Sequence, residues 1–161
     1  MGIKWRYLQL PRRLECDEST YAHTYGKFVA EPFERGYGIT LGNSLRRVLM
    51  SSIEGSAVTS IKIEGVLHEF STIDGILEDV TDIVLNMKNL ILRSHARTSK
   101  TIHIKTDKPG DVTARDIITD GTVEVLNPDL HILTVTKNRK INIEMEVSKG
   151  RGFVLAEQNK R

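Results

Sequence analysis

The sequence predicts an α+β fold, and a few stretches decide it. Ile141, Ile143, Met145 and Val147 alternate with Asn142, Glu144, Glu146 and Ser148, the period-two pattern of a strand with one face buried. Residues 73 to 91 instead repeat apolar side chains at steps of three and one, from Ile73, Ile76 and Leu77 through Val80, Ile83, Val84 and Met87 to Leu90 and Ile91. That spacing lays one stripe along a helix. One long helix flanked by strands, with a strand-rich second half, gives the α+β class.

The elements follow in order. Residues 1 to 22 are polar and irregular, with Pro11 as a breaker; Lys27 to Ala30 read as a strand that Pro32 ends. Gly36 and Gly38 then loosen the backbone ahead of a helix beginning at Ile39 or Thr40. At about 100° per residue, Leu41, Leu45, Val48 and Leu49 share one side of this helix, while Ile39, Asn43, Arg46, Arg47 and Met50 share the other. It is expected to stop near Ser51 and Ser52, with Gly55 as the C-terminal signal. Val58 to Ile63 form a strand with Ile61 and Ile63 on one face. Ser71 or Thr72 is placed to cap the helix of residues 73 to 91, with Asp74 near its positive end and Lys88 on the outer side near its C-terminus. Strands follow at Ile102 and Ile104, at Val123 and Val125, and from Leu130 to Thr136, with an Asn127-Pro128-Asp129 turn between the last two. A polar bend at Asn138-Arg139-Lys140 leads into the alternating strand.

Composition removes several function classes. A net charge of +2 over 161 residues is no electrostatic stripe for nucleic acid. The densest basic stretch, Arg93 to Lys108, reads as a solvated loop and edge strand or as a weak phosphate-facing edge. The single cysteine, Cys16, excludes an internal disulfide and a cysteine zinc site, and it fits a reducing cytoplasm. The start, MGIKWRYLQLPRR, lacks a signal-peptide core; Gly2 is followed by Arg6 where a myristoylation motif needs Ser or Thr. No segment is long enough to span a membrane, so the expected location is cytoplasmic. His23, His68, His95, His103 and His131 show no metal-ligand spacing, and neither a catalytic carboxylate pair nor a Gly-x-Ser-x-Gly motif occurs. Gly150-Arg151-Gly152 lacks the Gly-Lys-Ser/Thr ending and following helix of a phosphate loop, and it reads as a bend after a strand. No active site, cofactor site or metal site is expected.

What remains is a surface. A solvated helix side should be polar throughout, yet here two arginines sit among a methionine and an isoleucine. Arginine and methionine are enriched at protein interfaces. The surrounding string resembles the N-terminal domain of bacterial RNA polymerase alpha subunits, in Glu31-Pro32-Phe33-Glu34-Arg35-Gly36-Tyr37-Gly38 and then Thr40-Leu41-Gly42-Asn43-Ser44-Leu45-Arg46-Arg47-Val48-Leu49. The likeness continues in Gly65-Val66-Leu67-His68-Glu69-Phe70-Ser71-Thr72, in Glu78-Asp79, in Leu85-Asn86-Met87-Lys88 and in Gly150-Arg151-Gly152-Phe153-Val154.

The resemblance implies a non-catalytic assembly subunit of a DNA-directed RNA polymerase, a nucleotidyltransferase whose chemistry and magnesium belong to its partners. It implies a homodimer that docks the large beta and beta-prime subunits. Leu41, Leu45, Val48 and Leu49 would pack the dimerisation domain and help form the two-fold interface. Arg46, Arg47 and Met50 would face a large subunit, with Arg47 matching the family's assembly-critical arginine. His68, Glu69 and Lys88 extend that surface, and Arg151 would offer its fork to a carboxylate on another subunit. Residues 1–54 match the first part of a dimerisation domain, interrupted by an inserted, strand-rich α+β domain at 55–161 that is itself expected to be incomplete. The return segment and the C-terminal DNA-binding domain have no counterpart here. The expectation is a fragment of a longer subunit, meeting DNA only through the assembled enzyme or that absent domain. The competing readings are a nucleic-acid-binding module using Arg46, Arg47 and the Arg93 to Lys108 stretch, and a small enzyme, which would need a clustered acid/base set.

Overall fold

The computed structural model describes residues 9–160. The readings made on Gly2, on Arg6 and on the opening residues as a leader fall largely outside that span, as does Arg161. The chain divides into two compact units, 1–50 and 51–161.

In the first unit, β1 (Leu14–Cys16) pairs antiparallel with β2 (Phe28–Ala30). The turn between them is fixed by Asp17, whose Oδ1 accepts from the Ser19 hydroxyl at 2.6 Å, while its own N–H donates to the Lys27 carbonyl at 2.9 Å. β1 lies inside the stretch expected to be irregular; three residues are too few for a period to show. The helix α1 (Tyr37–Ser52) starts two residues before Ile39. Gly36 sits at φ +85, a conformation that glycine alone adopts without strain, and the Tyr37 N–H donates to the Glu34 carbonyl at 3.0 Å. That turn sets the start.

The second unit opens with β3 (Glu54–Ile63) and continues through α2 (Val80–Lys88), β4 (Leu92–Ser94), β5 (Lys100–Thr106) and β6 (Gly110–Thr113). A single 3-10 turn at Ala114–Asp116 precedes β7 (Ile117–Ile118) and β8 (Val123–Val125). The chain then forms β9 (His131–Val135), β10 (Ile141–Arg151) and a short α3 (Ala156–Asn159). Six strands make one antiparallel sheet in the order β7-β5-β10-β3-β4-β8, and β6 pairs with β9 separately.

The alternation read in the sequence is the core of this unit. Ile143 stands opposite Ile63 on one neighbour and Ile104 on the other, and Met145 stands between Ile61 and Ile102. Ile102, Ile104, Ile143 and Met145 are all fully buried. Each such side chain contributes about 1.5–3 kcal/mol of transfer free energy. From α2, Val80, Ile83 and Met87 close over the same core, joined by Ile132, Leu133 and Val135 of β9. The result is the mixed α+β architecture that the sequence predicts.

The long helix is corrected. It spans 80–88, not 73–91, and its cap is Asp79, whose carboxylate accepts from the Asp82 N–H at 2.7 Å. Ahead of it, Gly75 turns the chain at φ +85 and the segment is a series of turns and bends that touches β9 at the Ile76–Val135 bridge: the Leu77 N–H donates to the Thr134 carbonyl at 3.0 Å, and the Thr136 N–H to the Gly75 carbonyl at 2.8 Å. Ile73 is buried from the turn that precedes the helix, so it continues the apolar count without continuing the helix. Leu77 and Ile91, both assigned to the stripe, are exposed. Neither Ser71 nor Thr72 caps the helix, and Asp74 pairs with Lys137 at 2.7 Å. The helix ends at Asn89, and Asn127 of the expected turn holds the exit by accepting from the Ile91 N–H and donating to the Asn89 carbonyl, both at 2.9 Å. Gly55 is no stop signal but a β3 residue opposite Gly150, and β10 runs through Gly150 and Arg151 before bending at Gly152, φ +64.

Candidate subunit-docking surfaces

The helix α1 displays its side chains. No residue of it is buried: Leu41 is half-buried, while Leu45, Val48, Leu49, Ile39 and Met50 all keep more than half of their surface exposed. Arg46 and Arg47 are exposed as well. Several large apolar side chains along one helix exceed the scattered exposure normal for a surface and mark an interaction site. Covering each would gain on the order of 1 kcal/mol or more.

The second unit carries a groove of ≈ 400 Å³ between β3 and α2. It is lined by Val58 and Ile61 of β3, by Val84, Met87 and Lys88 of α2, and by Glu69 and Phe70 of the loop between them. Two residues singled out from sequence, Glu69 and Lys88, thus line one groove. His68 lies in the adjoining loop, where its carbonyl accepts from the Ser71 hydroxyl at 2.7 Å. It sits past the turn that ends β3. The Thr81 hydroxyl donates to the Glu69 carbonyl at 3.0 Å and fastens that loop to α2. Sequence reasoning missed Leu67 and Phe70, which are 98% and 83% exposed on the same loop. Both stand inside a quoted motif, but outside any periodic run. Arg151 is elsewhere: it ends β10 opposite Glu54 and lines a separate cavity of ≈ 570 Å³ with Ile53, Phe153 and Val154.

The basic stretch is partly neutralised. Arg93 pairs with Glu124 at 3.6 Å, and Lys100 with Asp120 at 3.0 Å. The Thr122 hydroxyl, followed by Lys100, draws the Asp120 carboxyl down to about 2. Among the described residues no group of three or more His, Cys, Asp or Glu could hold a metal ion, and no helix is long and apolar enough to cross a membrane.

Residues 61–161 match the family described as the RNA polymerase Rpb3/RpoA insert domain. The chain is 56% identical over 149 residues to the DNA-directed RNA polymerase subunit alpha of Desulfitobacterium hafniense, covering 92% of this chain and 47% of that protein. It is 62% identical over 138 residues to the subunit of the same name from Symbiobacterium thermophilum, covering 86% and 44%. The corresponding Clostridium acetobutylicum protein is 56% identical over 149 residues, with 92% and 47% covered. The chain therefore spans about half the length of the curated relatives it matches. On these likenesses, which run through both the exposed helix and the sheet, the chain belongs to the bacterial RNA polymerase alpha-subunit family and carries its Rpb3/RpoA insert domain.

Proposed function

We propose that this chain is an assembly element of a bacterial DNA-directed RNA polymerase, dimerising and docking the two large catalytic subunits in the cytoplasm. The observation that supports this best is α1: sixteen residues with no buried side chain, two arginines, and apolar residues on both sides. A helix this apolar gains its stability from tertiary partners, since isolated helices of such length are marginal in water. Leu41, Leu45, Val48 and Leu49 serve the two-fold interface in this reading, and Arg46, Arg47 and Met50 serve a large subunit. The groove lined by Glu69, Phe70 and Lys88 is a second contact for the same partners, and Arg151 a third. DNA is met through the assembled enzyme, and nucleotidyl transfer belongs to the large subunits.

The domain assignment, a dimerisation part at 1–54 followed by an inserted domain at 55–161, belongs to the same proposal. A nucleic-acid-binding module is the weaker reading, because the Arg93–Glu124 and Lys100–Asp120 pairs withdraw two cations from its basic stretch. The test is a pair of variants. Arg47→Ala should weaken binding to a large subunit by at least about 2 kcal/mol, roughly 30-fold, with Arg46→Ala losing less. Unchanged binding by Arg47→Ala would remove the arginine side of α1 from the interface.

A further inference from the structure

His131, at the start of β9, lies between two carboxylates drawn from distant parts of the second unit. Its Nε2 is 3.0 Å from Glu78 Oε1, just ahead of α2, and its Nδ1 contacts Asp111 Oδ1 on β6. Glu78 also accepts from the Thr134 N–H at 2.7 Å and from the Thr134 hydroxyl at 2.9 Å. One carboxylate thus joins the histidine ring to the β9 backbone, beside the Leu77–Thr134 and Thr136–Gly75 backbone bonds.

The geometry selects a protonation state. A neutral imidazole has one N–H and one lone pair, whereas the imidazolium donates from both nitrogens. Between two carboxylates, the neutral ring must aim its lone pair at an acceptor. Burial by itself would lower the histidine's pKa, but the bonds to Glu78 and Asp111 outweigh it and hold the pKa above the ordinary imidazole value. Burial likewise pushes Glu78 up, and the Thr134 N–H and hydroxyl bring it below its usual range. Charged groups on the neighbouring segments are engaged elsewhere: Asp74 with Lys137, Arg115 with Asp129, Asp116 with the Thr113 N–H, and Asp79 with the Asp82 N–H.

We propose that Asp111, His131 and Glu78 form a proton-dependent clasp that fixes the 71–79 segment to β9 and so positions the start of α2 and the loop bearing Phe70. The clasp stands without the docking reading; only its consequence for the groove rests on that reading. Because the folded-state pKa of the histidine is raised, its contribution is complete below the ordinary imidazole value of about 6.5 and is lost as pH rises through the raised value. Alkaline solution should therefore loosen the segment.

The test uses the 161-residue chain and no partner, so its outcome is separable from that of the docking experiments. The His131 ring is titrated by NMR while hydrogen exchange is followed at the Leu77 and Thr136 amides, corrected for base catalysis. Protection at both amides should fall at least roughly threefold as His131 loses its proton. Asp111→Asn should lower the midpoint and move the fall with it, and His131→Gln should leave protection independent of pH. The clasp is overturned if His131 titrates at or below the ordinary value, if protection stays flat through its titration, or if His131→Gln shows the same fall. Should Asp111→Asn not fold, the titration of the unaltered chain decides alone.

Discussion

Phe70→Ala separates a docking surface from a folding one. The side chain is 83% exposed and belongs to a loop that Thr81 and Ser71 hold through backbone carbonyls, so truncation leaves those bonds in place. Surface substitutions of this kind stay within about 0.5 kcal/mol of the parent in stability. A partner that covers the ring does something else. Taking about 200 Å² for a phenylalanine and about 25 cal/mol per Å², the 83% left open corresponds to about 4 kcal/mol when fully buried. Ordering the loop and desolvating the groove offset part of that, leaving an expected loss of about 2–3 kcal/mol, or about 30- to 150-fold in Kd. Isothermal titration against a purified large subunit measures the affinity, and a thermal melt of the same variant measures the fold. An unchanged Kd with an unchanged melt refutes the docking assignment of the groove. A collapsed melt refutes the claim that Phe70 has no role in folding.

Two further variants address the helices. Asp79→Ala should cost about 1 kcal/mol of stability by removing the cap, whereas Thr72→Ala should cost less than about half of that; denaturant melts giving the reverse order would restore the longer helix. Leu45→Asp places a charge on a side chain that is 62% exposed. It should therefore leave the melting of the chain nearly unchanged and abolish self-association in sedimentation, and a fully dimeric variant would contradict the assignment of the two helix sides.

The sheet was legible because burial on one face imposes a period that local sequence must obey. Ile141, Ile143, Met145 and Val147, with Ile102 and Ile104, show it directly, and all are core. Short strands such as β4, β6 and β7 offer two to four residues, too few for a period. The overlong helix has a different cause: Ile73 and Ile76 reach the same core from the two sides of a turn, so apolar spacing alone could not mark where the helix begins. Gly75 and Asp79 were the available signals, a break and a cap inside the run. At the candidate surfaces, Glu69 and Lys88 emerged from motif likeness and line the same groove, whereas Arg151 lines a different cavity. Phe70 and Leu67 were invisible to pattern because a residue without a partner in its own chain leaves no period. The Glu78–His131 contact joins residues 53 apart, a pairing that only the folded chain brings about.

In the proposed reading, the exposed helix α1 and the groove beside α2 hold other polymerase subunits. Size-exclusion chromatography with light scattering, run on the protein alone, with the two large subunits, and with duplex DNA at two salt concentrations, tests it most directly. The expected result is co-elution with the large subunits, weakened by Arg47→Ala and by Phe70→Ala, and no stable complex with DNA alone. Elution apart from the large subunits, together with DNA binding that falls steeply with salt, would contradict it and favour the nucleic-acid reading.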